Sequence, residues 1–200
     1  MTSTPVLQCG QLAVQFARSG DRYGHRIELR RSGQSIPLLE SVEGTPEDDW
    51  PPSPPLQQLH VESREAPYPG PHQEGEGVRA AQAVALLVGM AGRSHWSLGV
   101  EAVQETARDG WQFDAACRLR SLAGRLGSRY RVLVSARIDP QTGDALLETN
   151  EMRCRVRPEI VADSAAQIGL ANAVLTIQPP SGHRGVPSTV RWRYSISHDL

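Results

Sequence analysis

The stretch GRSHWSLGVEAV, residues 92 to 103, holds His95, Ser97 and Glu101 at alternating positions. Side chains on a strand point to opposite faces in turn, so these three share one side and Trp96, Leu98 and Val100 the other. Asp114 follows the turn ARDG and can meet the same face from the next strand. Histidine, serine and carboxylates are the groups of nucleophilic hydrolysis, in which a base activates a hydroxyl and a third group orients the base. On a strand His95 and Ser97 stand about 7 Å apart at the backbone. The chain has no GxSxG turn, which would lift a serine toward an oxyanion pocket. The expectation is therefore a solvated strand face. The alternative is a hydrolase or metal-dependent enzyme centred on His95, Ser97, Glu101 and Asp114.

Metal binding needs ligands brought together. The histidines are His25, His60, His72, His95, His183 and His198, and no two are spaced to share one strand face or one helical turn. A site would have to be assembled from distant strands, with His25 and His95 as the first pair to test. No cofactor is expected. Cys9, Cys117 and Cys154 are an odd number, widely spaced and without a CxxC pair, which argues against a disulfide framework or a zinc knuckle.

Charge supplies the other candidate. Between Arg118 and Arg157 there are nine arginines against four acids. Arg129, Arg131 and Arg137 fall on one face of a segment, and Arg153, Arg155 and Arg157 on what reads as its hairpin partner. Like charges opposed on a sheet repel, so something must neutralise them. An anionic ligand or partner protein gripped by forked guanidinium donors is one acceptor. The other is the segment from Glu40 to Glu76, which carries nine acids against the single Arg64, and this intramolecular neutralisation is the more economical reading.

The remaining composition narrows the choices. All 21 basic residues are arginine, which removes lysine Schiff-base chemistry and the phosphate-loop lysine. The formal charge of -1 speaks against nucleic acid as a partner. No basic segment precedes an apolar run at the start of the sequence, and the longest apolar run, residues 83 to 92, is half a membrane span. A cytoplasmic protein without a membrane segment is expected, and the letters do not specify its oligomeric state.

The elements that must position these residues read as strands. Residues 11 to 31 form two strands around a Ser-Gly-Asp turn, with Leu12, Val14 and Phe16 alternating before it and Ile27 and Leu29 after it. Residues 33 to 77 carry more than half of the fifteen prolines and read as a long acidic excursion, with a short strand near residue 60. Trp50 is its expected anchor, and Trp50 and Tyr68 are the aromatics available at the surface. Residues 82 to 92 are apolar on both faces, as in a central strand. Trp96, Trp111 and Trp192 all fall on apolar rows. DPQTGD is a hairpin turn, residues 145 to 158 return from it as one strand ended by Pro158, and Asp163 or Ser164 is placed to cap a short helix. The fold expected is a single domain over residues 1 to 200. It is an all-β antiparallel sandwich or flattened barrel of eight to ten strands with at most one short helix. The favoured function is a non-enzymatic binding module that uses the arginine-rich hairpin, Arg129, Arg131, Arg153, Arg155 and Arg157.

Overall fold

The computed structural model describes residues 5–31, 33–45, 48, 50–64, 82–105, 108–121, 124–150, 152–180 and 185–198. In chain order the strands are β1 (Val6–Cys9), β2 (Leu12–Ser19), β3 (Arg22–Arg31), β4 (Gln34–Ser41), β5 (Gln58–Arg64), β6 (Gln82–Ala91), β7 (Ser94–Glu105), β8 (Arg108–Leu119), β9 (Ser128–Val132), β10 (Ser135–Ile138), β11 (Ala145–Glu148), β12 (Arg153–Val161), β13 (Ser164–Ala165), β14 (Gln167–Ala171), β15 (Val174–Gln178) and β16 (Ser188–His198). They form two antiparallel sheets, one ordered β1-β2-β3-β4-β9-β15-β14 and the other β10-β11-β12-β16-β8-β7-β6-β5, with β13 paired to β12. The sheets pack face to face as a β-sandwich and do not close into a barrel.

Period-two burial builds the interior. Leu12, Val14, Phe16 and Ile27 from the smaller sheet are fully buried, as are Trp111, Phe113, Tyr194 and Ile196 from the larger one. Trp96 and Trp192 join them at 2% and 1% exposure, so all three expected indoles lie in the core. In the β3–β4 pair the register shifts between Ile27 and Glu28, so that Ile27 faces Leu39 while Glu28 faces Pro37. This bulge turns two successive leucines, Leu38 and Leu39, into the core.

Several local expectations change. Residues 34 to 41, which include Pro37, belong to the sheet as β4, so the proline-rich excursion begins only at Val42. The helix expected near Asp163 is absent. Ala162 and Asp163, and again Asn172 and Ala173, have positive φ between paired strands. Two left-handed residues in succession make the two-residue turn that suits the twist of a hairpin. Residues 145 to 158 are not one strand but β11 and the start of β12. The latter runs on to Val161, with Pro158 set opposite Tyr194 of β16 and beyond the end of the β11 register at Val156. The segment 128 to 138 also divides: β9 lies in the smaller sheet and β10 in the larger. Both sheets face the same interior, so its apolar alternation continues unbroken through the crossing.

The proline segment closes one end of the sandwich. Pro51, Ser53, Pro54, Pro55 and Leu56 are buried. Ser53 Oγ accepts a hydrogen bond from the Arg129 amide at 3.0 Å, and the Tyr23 amide donates to the Leu56 carbonyl at 2.6 Å. Trp50 anchors the segment as expected, donating from its indole to the Arg125 carbonyl and packing on Trp96 with ring centroids 5.7 Å apart. It is thus a half-buried anchor packed against the core and not a free surface platform, while Tyr68 lies outside the described residues. The segment needs a glycine opposite it: a Cβ on Gly89 would sit 1.6 Å from the Pro55 carbonyl oxygen. Gly89→Ala is expected to displace the segment and cost about 3 kcal/mol, read as a lowered thermal midpoint together with a shift of Trp50 fluorescence.

Candidate functional site

The outer face of the larger sheet collects the side chains that the sequence singled out. Cross-strand register sets His95 between Met90 and Arg118, Ser97 between Val88 and Ala116, Gly99 between Leu86 and Asp114, and Glu101 between Val84 and Gln112. His95, Ser97, Glu101 and Asp114 therefore do share one surface. Asp114 receives two hydrogen bonds from each of two arginines: Arg191 Nε at 2.6 Å and its Nη2, and Arg193 Nη2 at 2.7 Å and Nε at 3.2 Å. Burial opposes ionisation of Asp114, but these bonds prevail and hold its carboxyl below the ordinary value. The Asp114 carboxylate is thus engaged by the two arginines of β16, and His95 stands opposite Arg118.

What this face does offer is a trough along β7 and β8. Ser97, Gly99 and Ala116 form a floor of small side chains. One wall is the row Leu86, Val88 and Met90 on β6, exposed at 42%, 45% and 45%. Residues 82 to 92 are therefore apolar on both faces, yet β6 is next to the edge strand and its outer row meets water. The opposite wall is Thr189, Arg191 and Arg193 on β16. Two adjoining hollows of about 510 and 640 Å³ occupy the trough, and the first is bounded at one end by His95, Arg118, Gln57 and Gln58. Among the described residues no acid pairs with Arg118. Sequence reasoning missed Arg118, Arg191 and Arg193 as site residues; the alternation of arginines in STVRWRYSISH against Trp192 and Tyr194 was the available signal.

The expected arginine-rich hairpin is not a unit. Arg129 and Arg131 sit on β9 in the smaller sheet, and Arg153, Arg155 and Arg157 on β12 in the larger. Most of the neutralising acids are local. Glu148 pairs with Arg153 at 3.2 Å and Arg137 at 3.5 Å, while Asp144 pairs with Arg155 at 3.0 Å and Arg157 at 3.3 Å. From the acidic segment, Glu40 holds Arg131 at 3.0 Å. Asp144 is only 2% exposed, so its two guanidinium partners keep a buried carboxylate compensated.

His25 lies in the core on β3, far from this face, so it cannot act with His95. Its Nε2 is 2.7 Å from the Tyr130 hydroxyl, which is 2.6 Å from the Tyr194 hydroxyl on the opposite sheet. Burial pushes the Tyr194 phenol up to about 12 and the His25 imidazole down to about 4 from an ordinary 6.5. Among the described residues no group of three or more His, Cys, Asp and Glu side chains is placed to hold a metal ion.

The fold and this face define a class, an antiparallel β-sandwich with an amphipathic trough on one outer surface. No protein-family model matches the chain, and no curated protein matches it. No described helix is long and apolar enough to cross a membrane.

Two outcomes follow from these burials. Between pH 6.5 and 4 the unfolded chain protonates His25 and the native state does not, so this residue withdraws about 3 kcal/mol of stability as pH falls through that window. Chemical denaturation at several pH values should show that slope, and His25→Phe should flatten it. Arg155→Ser should cost about 2 kcal/mol by leaving Asp144 under-compensated, whereas Arg153→Ser, whose partner Glu148 is half-exposed, should cost less than about 0.5 kcal/mol in the same assay.

Proposed function

We propose that the protein is a non-enzymatic binding module whose ligand, an anionic group carried on an apolar body, lies in the trough on the outer face of the larger sheet. The observation that carries this reading is the placement of Arg118 beside His95 at the end of a groove floored by Ser97 and Ala116 and walled by Val88 and Met90. A cation that no described acid neutralises, next to exposed apolar side chains, suits a carboxylate, sulfonate or phosphate attached to a hydrocarbon or ring. Arg191 and Arg193 present their outer edges along the same groove, although Asp114 holds their inner donors. This moves the ligand contact from Arg129 and Arg131 on the smaller sheet and Arg153, Arg155 and Arg157 on β12 to the part of the larger sheet between β6 and β16, because acids on the protein already engage four of those five. We place the protein in the cytoplasm, in keeping with Cys9, Cys117 and Cys154 being buried thiols.

Titration with anilinonaphthalenesulfonate, a fluorescent anion with an apolar body, tests the site at low and high salt. Arg118→Ser is expected to weaken binding about tenfold. Val88→Asp should abolish binding, and Arg153→Ser should leave it unchanged. Equal affinity in all three variants would refute the assignment.

A further inference from the structure

We propose that the protein self-associates through the outer edge of β5, with two copies pairing antiparallel about a two-fold axis at Val61 and joining their larger sheets into one. β5 ends the larger sheet. Its seven residues, QLHVESR, pair with β6 in an unbroken register from Gln58–Val88 to Arg64–Gln82. Edge strands that must not pair are commonly protected by proline, by a bulge, by a covering segment or by charged side chains, lysine above all, that repel a second copy. This one has no proline or bulge, and the chain contains no lysine.

The strand is complementary to itself. With Val61 on the axis, His60 of each copy lies opposite Glu62 of the other. These side chains are 68% and 47% exposed and already meet along the strand at 2.8 Å. Opposed residues in an antiparallel pair have Cβ atoms about 5 Å apart, so each His60 gains a second carboxylate neighbour across the axis. Val61 belongs to the inward row, opposite Ala85, yet it is 39% exposed because no described strand lies beyond it. Val61 of the second copy fills that position. Centring the axis on Glu62 instead would oppose two carboxylates, which disfavours that register. Seven residues per copy bury little surface, so the dimer is a weak, concentration-dependent one. Pairing in the plane of the sheet leaves both troughs on the same side of the joined surface.

Sedimentation velocity of the full chain across a wide concentration series should show a reversible monomer–dimer equilibrium. Glu62→Lys is expected to weaken the dimer about tenfold, since the axis repeats the lost pair, while the melting temperature and dye binding stay as in wild type. The double change His60→Glu with Glu62→Lys, which sets a carboxylate opposite an ammonium on each side of the axis, should restore it. Under oxidising conditions Val61→Cys should form an intermolecular disulfide across the axis, whereas Gln58→Cys, displaced along the strand, should not. A chain that stays monomeric at every concentration overturns the proposal. So does a dimer that Glu62→Lys leaves intact, or one that Val61→Cys does not cross-link.

Discussion

Buried aromatic side chains carry polar atoms across the gap between the two sheets, and this fixes how the sheets lie on one another. Trp111 on β8 donates its indole hydrogen to the Leu12 carbonyl on β2 at 3.2 Å, and Trp192 on β16 donates to Ser128 Oγ on β9 at 3.1 Å. The Tyr130–Tyr194 contact at 2.6 Å makes a third bridge, extended by His25. Apolar packing alone tolerates sliding, whereas a buried hydrogen bond that is lost on sliding leaves both groups unsatisfied in a low-dielectric interior. Around these bridges the rings interlock. Phe113 stacks on Tyr194 with centroids 5.0 Å apart, and Trp96 meets Trp192 edge to face at 6.1 Å.

The outer face of the larger sheet follows from that inner alignment. Once Trp96, Leu98 and Val100 are committed inward, His95, Ser97, Gly99 and Glu101 must face outward, and the same holds for Arg118, Ala116 and Asp114 on the next strand. The trough exists because the two central columns of that face carry small side chains between taller ones. Its character is set by the strands on either side, apolar on β6 and guanidinium-rich on β16. Asp114 serves here as a clamp: by bonding both Arg191 and Arg193 it holds their stems in one direction across the sheet.

Arginine is this chain's sole permanently charged basic side chain, and it behaves differently from one part of the larger sheet to another. On β12 the guanidinium groups face Asp144 and Glu148, which the β10–β11 hairpin delivers to the same rows, so their fields close within the protein. Arg118 has no such acid opposite it; its cross-strand neighbours are His95 and Thr189. Charge counting along the chain gives both groups equal weight, and only the register tells them apart.

Much of the fold was legible from letters alone. The rows Leu12-Val14-Phe16, Trp111-Phe113-Ala115-Cys117 and Val190-Trp192-Tyr194-Ile196 determined which faces would be buried. Asp139-Pro140 and Gly143 marked a hairpin, and the common outer face of His95, Ser97, Glu101 and Asp114 followed from parity. Tertiary structure decided the rest. The crossing between β9 and β10, the split of the expected arginine hairpin, the partners of Asp114 and the exposure of Leu86, Val88 and Met90 have no counterpart in periodicity. The physical reason is that period two encodes only whether a side chain faces the interior, and both sheets share that interior. Which sheet a strand joins, and which neighbour stands across from it, depends on pairings between residues far apart in the chain.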